Sequence, residues 1–166
     1  IGYLIIVFLL FLLPLFKNGM FDTHDGQLHI ARIAQYSKAI TDKQFPVRWA
    51  ADLNFGYGSP VFIFYYPLPY FSGTILHALG LSYIDSFKVL LGFAFLLAPI
   101  SFYVWMKKLF VPLVATASAV AYGLAPYHFL DLYVRGAIGE LFAFIFIPLV
   151  LLAIENISIK NYKRGF

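Results

Sequence analysis

The sequence predicts an all-α polytopic membrane protein with about four transmembrane helices and further juxtamembrane helices in a long first outer loop. Composition is the first observation behind this class. Of the 166 residues, 61% are hydrophobic and only 12% are charged, and the mean hydropathy is +0.81. A soluble domain usually carries about 25% charged residues. The second observation is that the apolar residues form runs close to the length of a membrane span, separated by polar links.

The apolar runs define the predicted spans. The first run has no charge, ends near Pro14 and is slightly short of the ~20 residues that a span needs. We therefore expect the chain to be the N-terminal fragment of a longer protein, folded as part of one transmembrane domain. The predicted boundaries are span 1 at 1–16, the first outer loop at 17–84, span 2 at 85–106, span 3 at 111–128, the second outer loop at 129–138 and span 4 at 139–155.

The first outer loop contains the most polar part of the chain. Asp22 or Thr23 can cap an amphipathic helix that runs to about Ile40 and lies flat on the membrane surface. The stretch 44–59 is rich in turn-forming residues and aromatics, which predicts an irregular loop. The stretch 59–80 is apolar, but prolines interrupt it, so an interfacial or re-entrant position is favoured over a full span.

Basic residues set the predicted topology. Lys107 and Lys108 follow span 2, and Lys160, Lys163 and Arg164 follow span 4. Because lysine and arginine are enriched in cytoplasmic loops, both clusters are predicted to lie inside. Both ends of the fragment are then cytoplasmic, and the two outer loops face the same outer side of the membrane.

Several functional classes are excluded by composition and spacing. The chain has no cysteine, which removes disulfides, thiolate metal sites and a cysteine nucleophile. The net charge of +4 is modest, and no basic and aromatic face of the kind that binds nucleic acid is present. The segment HDGQLH, from His24 to His29, lacks the HExxH pattern of zinc proteases.

The first candidate site lies at the start of the predicted surface helix. Asp25, His29 and Arg32 recur at i, i+4 and i+7, so they share one side of the helix, and His24 precedes them. A carboxylate oriented by an imidazole can act as a general base or as a metal ligand. The alternative is an acid that interacts with the helix dipole, beside histidines in the polar interface.

The second candidate site lies in the second outer loop. Asp131, Arg135 and Glu140 place three charges beside membrane spans, and such charges are costly enough to suggest a function. Arg135 can hold a phosphate through its planar donor groups. The alternative is a mutual ion pair, Arg135 with Glu140 or with Asp131, that fixes the loop.

Three tyrosines surround the prolines of the first loop. Tyr65, Tyr66 and Tyr70 fit an aromatic belt on a broken interfacial helix, which is the favoured interpretation. The alternative is a wall on which a sugar or a lipid stacks.

Three segments carry a resemblance to a known family. They are HDGQLHIARIAQYSKAITDKQFPVRW, YYPLPYF and YVRGAIGELFAF, in that order along the chain. Together with the layout of spans, they resemble the GT-C superfamily of membrane glycosyltransferases. They are most similar to the bacterial and archaeal membrane proteins labelled "6-pyruvoyl-tetrahydropterin synthase-related". Nothing in the residues supports pterin chemistry.

The resemblance implies an integral protein of a prokaryotic cell membrane, with a polyprenyl-phosphate sugar and membrane lipid as partners. It implies that Asp25 is the catalytic base or a ligand of a divalent metal ion, assisted by Asp131 or less well by Glu140. It also implies that Arg135, with Arg32 as the second candidate, holds the donor phosphate. His24 stands where some members have an acid. The residues expected to bind substrate are His24, His29, Arg32, Arg135 and Glu140.

Two non-enzymatic alternatives remain. One is a transporter or lipid-handling protein in which Arg135 and Glu140 line a pathway beside the broken stretch 59–80. The other is a scaffold subunit whose charges only form ion pairs. The sequence names neither the sugar nor the acceptor.

Overall fold

The structure is a computed structural model that describes the backbone of residues 2–164 and the side chains of residues 2–157. This part of the chain is all helical, as predicted, with one isolated antiparallel bridge between Ala50 and Ser59. The helices are α1 (Gly2–Phe11), α2 (Gly26–Thr41), α3 (Val61–Phe64), α4 (Leu68–Ala78), α5 (Tyr83–Leu109), α6 (Pro112–Gly123), α7 (Pro126–Phe129) and α8 (Ile138–Arg164).

Two helices are long and apolar enough to cross a membrane. They are α5 and the part of α8 from Ile138 to Ile157, and they correspond to predicted spans 2 and 4. A third crossing is formed if α6 and the segment Pro126–Arg135 act as one span with a bend of 46°. The structure therefore supports a membrane protein with two to three spanning helices. The side chains of Lys160, Lys163 and Arg164, used to predict the cytoplasmic side, lie outside the described residues.

The helix observed at the first predicted span is shorter than the predicted range 1–16. Helix α1 has 10 residues, and a 3₁₀ turn follows at Leu13–Phe16. Pro14 occupies the first turn of that segment, where its missing N–H is tolerated, but it prevents α1 from continuing unbroken. Leu4 and Phe8 are the buried residues of α1, and the Phe8 ring packs directly on the position where Gly123 lacks a side chain.

Helix α5 forms the centre of the fold and packs against α8, α6 and α4. Ser82 caps its start, because the Ser82 hydroxyl oxygen accepts the N–H of Asp85 at 3.0 Å. Lys88 is buried, and its ammonium donates to the carbonyl oxygens of Lys17 and Gly19 at 2.6 and 3.2 Å. These contacts fix the beginning of the polar stretch against the central helix.

Helix α2 begins and ends close to its predicted limits. Thr23 is the residue that caps it, since its hydroxyl oxygen accepts the N–H of Gly26 at 3.1 Å. The position of α2 flat on a membrane surface stays a prediction, and the burial of two of its polar side chains was not predicted. His29 and Arg32 are buried together with Ile33 on the side that packs on α4 and α5. The physical reason is that α4 supplies a hydroxyl partner for both polar side chains, at Tyr70.

The segment predicted as the second outer loop, 129–138, is mostly helical. Pro126 starts α7 at a position where its ring favours helical geometry. The chain continues as a π-helical turn, Leu130–Arg135, and ends at Gly136. Gly136 has a φ of +66°, the left-handed conformation that commonly terminates a helix and that glycine adopts without strain. The helix carries Asp131 and Arg135 on one face.

Candidate functional site

Two polar segments distant in sequence meet at the site. The backbone N–H of His24 donates to the carbonyl oxygen of Val134, and that of Asp25 donates to the carbonyl of Arg135, both at 2.9 Å. Gly136 lies against Gly26, and a side chain on Gly136 would meet the Gly26 nitrogen at 3.2 Å. The start of α2 is therefore joined to the link before α8 by main-chain hydrogen bonds.

A cavity of about 410 Å³ opens beside this junction. Its volume is within the range of small-molecule sites. Of the residues proposed from the sequence, five line it and two do not. The lining residues are Asp25, Leu28, His29, Arg32, Tyr65, Tyr66, Arg135, Ala137, Gly139, Glu140 and Ala143. His24 is exposed outside the cavity, and Asp131 lies buried behind Arg135.

Arg135 is fully engaged by neighbouring groups. Its Nη1 donates to Asp131 Oδ1 at 2.7 Å and to Glu140 Oε2 at 2.8 Å, and its Nη2 donates to Glu140 Oε1 at 2.5 Å. The Tyr127 hydroxyl accepts from Arg135 at 2.7 Å and donates to Glu140 at 2.7 Å. Both ion pairs that the sequence left as alternatives are present at once. A phosphate at Arg135 would have to compete with two carboxylates.

Arg32 has the opposite environment. Its side chain is 6% exposed, and no carboxylate lies within ion-pair distance among the described residues. The guanidinium carbon lies 3.9 Å from the centre of the Tyr65 ring, and Nη1 donates to the Tyr70 hydroxyl at 3.5 Å. Its Nε is buried without a hydrogen-bond partner in the described part of the chain. A buried cation without a counter-ion is costly, so the cavity favours an anion beside it.

His29 is buried in the cavity wall as a neutral group. Its Nδ1 lies 3.0 Å from the Tyr70 hydroxyl, and its ring stacks on Tyr70 and on Phe87, with each pair of ring centres 6.0 Å apart. Burial, and then the charge of Arg32, lower the pKa of His29 from 6.5 to about 4, against the opposing effect of Asp25. The imidazole is therefore uncharged at neutral pH.

Asp25 presents a carboxylate that is not used for folding. It stands at the N-terminal boundary of α2, but Thr23 supplies the capping hydrogen bond instead. The carboxylate of Asp25 forms neither a hydrogen bond nor an ion pair with the described side chains, although it is half-buried and lines the cavity. It is thus available to accept a proton or a ligand group.

The three tyrosines of the broken stretch do not form a simple interfacial belt. Tyr70 is completely buried, while Tyr65 and Tyr66 line the cavity. The Tyr66 ring rests directly on Gly139, where any side chain would collide with it. Sequence reasoning missed Tyr127, since its role depends on a bend in the chain that brings it to Arg135 and that no local pattern announces.

The histidine and carboxylate side chains around the cavity do not fit a metal centre in the arrangement that the structure shows. Within residues 2–157, no three histidine, aspartate or glutamate side chains form a group able to hold a metal ion. Asp131 and Glu140 are both bound to Arg135, which leaves Asp25 as the one uncommitted carboxylate in the described cavity wall. The metal role of Asp25 and Asp131 stays a prediction.

Searches of protein-family models, of curated proteins and of solved structures find no match to the chain.

Proposed function

We propose that the chain forms part of a membrane glycosyltransferase that transfers a sugar from a polyprenyl-phosphate donor to an acceptor hydroxyl. The proposal includes a GT-C-like arrangement of four crossings, in which α1 with its 3₁₀ turn and the bent pair α6 and α7 complete the count. One observation carries it. An uncommitted carboxylate, Asp25, and a buried guanidinium, Arg32, that has no carboxylate partner among the described residues line the same cavity, beside helices long and apolar enough to cross a membrane.

The proposed reaction is a direct displacement at the anomeric carbon. Asp25 takes the proton of the acceptor hydroxyl, and the acceptor oxygen forms a bond to the anomeric carbon. The bond from that carbon to the phosphate oxygen breaks, and its electron pair stays on the phosphate. Such a displacement inverts the configuration at the anomeric carbon. General-base assistance is typically worth about 10²–10⁴-fold in rate, and a fixed cation stabilises the charge that develops on the leaving phosphate.

The phosphate role moves from Arg135 to Arg32 in this proposal. Arg135 already donates to Asp131 and Glu140, so it serves as a fixed part of the cavity wall. Arg32 lacks a carboxylate partner within the described residues, and its planar guanidinium suits a phosphate. Tyr65 and Tyr66, on the same wall, offer aromatic faces against which a sugar ring can pack.

Sugar transfer by the full-length protein tests the proposal. The protein would be reconstituted in proteoliposomes with a polyprenyl-phosphate sugar and a panel of acceptors. Asp25→Asn keeps the shape of the side chain but removes the base, so transfer should fall at least about 100-fold. Asp22→Asn is the matched control, because Asp22 is an exposed acid of the same stretch outside the cavity. Full activity of Asp25→Asn would refute the role of this residue.

A lipid-handling protein without catalysis is the second candidate. An apolar groove of about 420 Å³ runs between α1 and α5, with polar residues gathered at one end. Its shape suits a lipid chain whose headgroup lies near Lys17 and Lys88. Lipid movement in the same proteoliposomes, without sugar transfer to any acceptor and without an effect of Asp25→Asn, would favour this function over the first.

A further inference from the structure

The hydroxyl group of Tyr70 joins two polar side chains of the cavity wall. Tyr70 lies on α4 and is completely buried. Its oxygen is 3.0 Å from His29 Nδ1 and 3.5 Å from Arg32 Nη1. His29 and Arg32 are three residues apart on α2, so both project from one face of that helix toward the same hydroxyl.

The hydrogen-bonding capacity of these groups limits where the protons can lie. A guanidinium only donates, so the Tyr70 oxygen accepts from Arg32. The Tyr70 hydroxyl keeps its own proton, and His29 Nδ1, at 3.0 Å, is a nitrogen that can accept it. A neutral imidazole carries one proton, and in this arrangement that proton is on Nε2. The burial that lowers the pKa of His29 to about 4 keeps the ring neutral.

We propose that Tyr70 is a positioning residue that holds His29 in the Nε2–H tautomer, so that His29 and Arg32 together form a pair of donors for a phosphate oxygen. This inference rests on the proposed function for the source of the phosphate. It assigns His29 as a hydrogen-bond donor and removes it as a base, since Nδ1 is occupied and Nε2 is already protonated. Asp25 is left as the proton acceptor.

Unused donors on both side chains support this pairing. His29 Nε2 has no hydrogen-bond partner among the described residues, and Arg32 Nε is buried without one. Leaving a buried donor such as Arg32 Nε unsatisfied typically costs ~1–3 kcal/mol, which an anionic oxygen in the cavity would offset. The two rings that stack on His29 restrict rotation of the imidazole, and Phe87, on the central helix α5, is completely buried.

Nuclear magnetic resonance of the full-length protein in nanodiscs, labelled with ¹⁵N-histidine, tests the tautomer directly. The His29 signal would be assigned by its loss in His29→Gln. We expect an unprotonated Nδ1 and a protonated Nε2 from about pH 5 to about pH 8. A protonated Nδ1, or a charged ring at neutral pH, would overturn the proposal whether or not the protein transfers sugar.

Binding of a polyprenyl monophosphate without sugar, and separately of inorganic phosphate, tests the donor pair. Tyr70→Phe removes only the hydroxyl and should weaken binding about tenfold. Tyr36→Phe is the matched control, because Tyr36 is a buried tyrosine that stacks on Tyr70 and whose hydroxyl forms no hydrogen bond with a described residue. If both ligands respond to Tyr70→Phe, a phosphate group is recognised; if only the lipid form does, a lipid headgroup is recognised.

A second pair of variants keeps the test independent of any damage to folding by Tyr70→Phe. Gln places an amide N–H near the position of His Nε2, whereas Asn places one near Nδ1. His29→Gln should therefore retain phosphate binding that His29→Asn loses. Equal binding by these two variants, or unchanged binding by Tyr70→Phe, would overturn the proposal. Phosphate binding as expected, but without sugar transfer to any acceptor, would refute the proposed function and leave this inference standing.

Discussion

Arg135 Nη1 lies 2.7 Å from Oδ1 of Asp131, whose side chain has no exposed surface. The other carboxylate oxygen of Asp131, Oδ2, has no hydrogen-bond partner among the described residues. Arg135 therefore provides the only described compensation for this buried charge, while it also binds Glu140. This ion pair gives Arg135 a structural role in the bent segment that leads into α8.

Removal of Arg135 should be strongly destabilising. Arg135→Met leaves Asp131 buried without a partner, and loss of one member of a buried pair typically costs ~3–5 kcal/mol. Asp131→Asn should cost clearly less, because Arg135 keeps its bidentate contact with Glu140. Reversible unfolding in detergent micelles gives both free energies of unfolding. Equal losses in the two variants would contradict this asymmetry.

Removal of Arg32 should have the opposite effect on stability. Arg32→Met replaces a buried cation that has no described counter-ion with an apolar side chain of similar length. We expect the free energy of unfolding to stay the same or to rise by about 1 kcal/mol, while phosphate binding and sugar transfer are lost. A loss of stability as large as that of Arg135→Met would show that Arg32 serves the fold.

Stability should depend on pH through His29. Its pKa is lowered by burial and by Arg32, and the groups that face it are Asp25 just before α2, Arg32 on α2 and Tyr70 on α4. Between about pH 6.5 and about pH 4 the unfolded chain binds a proton that the folded protein does not. The contribution of His29 is therefore fully present above about pH 6.5, and about 3 kcal/mol is lost as the pH falls to about 4.

The same unfolding experiment as a function of pH checks this slope. His29→Gln should reduce this slope by the share that His29 contributes, because glutamine does not titrate. His24→Gln is the matched control, since His24 is an exposed histidine of the same stretch. An unchanged slope in His29→Gln would assign the effect to another group.

Gly136 joins the two polar segments and should not tolerate a side chain. Gly136→Ala combines a φ of +66° with contacts of the new carbon at 3.0 Å to Thr23 Oγ1 and 3.2 Å to the Gly26 nitrogen. Gly19→Ala is the control, because Gly19 has a φ of +74° with nothing within 4 Å. Backbone strain, about 1 kcal/mol, is common to both variants. The additional loss of stability in Gly136→Ala therefore measures the cost of disturbing the contact between the two segments. Equal losses of stability in the two variants would show that the close contact at Gly136 does not contribute to stability.

Local patterns predicted the parts of the fold that depend on local chemistry. The uncharged runs within α5 and α8 are long enough to require helices that satisfy their own backbone hydrogen bonds in lipid. The cap at Thr23 and the i, i+4, i+7 spacing correctly placed Asp25, His29 and Arg32 at the start of one helix. The three residues also line one cavity with Arg135 and Glu140, whereas their functional roles stay predictions.

The rest depended on contacts between distant residues. The burial of Arg32 was not predicted, because the hydroxyl and the aromatic ring that it contacts come from Tyr70 and Tyr65 in another part of the chain. The link 129–138 was predicted as a loop from its charges. It is helical because Asp131 and Arg135 neutralise each other one turn apart and only Gly136 ends the turn.

The last prediction concerns membrane topology. The chain has no cysteine, so single cysteines can be labelled with a membrane-impermeant maleimide without background. Phe55 is fully exposed in the first loop, and Phe110 is 52% exposed just after α5. Because α5 is long enough to cross the membrane between them, Phe55→Cys and Phe110→Cys should react from opposite sides. The basic residues Lys107 and Lys108 predict that Phe110 lies inside, so we expect only Phe55→Cys to react in intact cells and Phe110→Cys to react after permeabilisation. Reaction of both in intact cells would show that α5 does not cross, and reaction of Phe110→Cys alone would invert the topology and move the cavity to the cytoplasmic side.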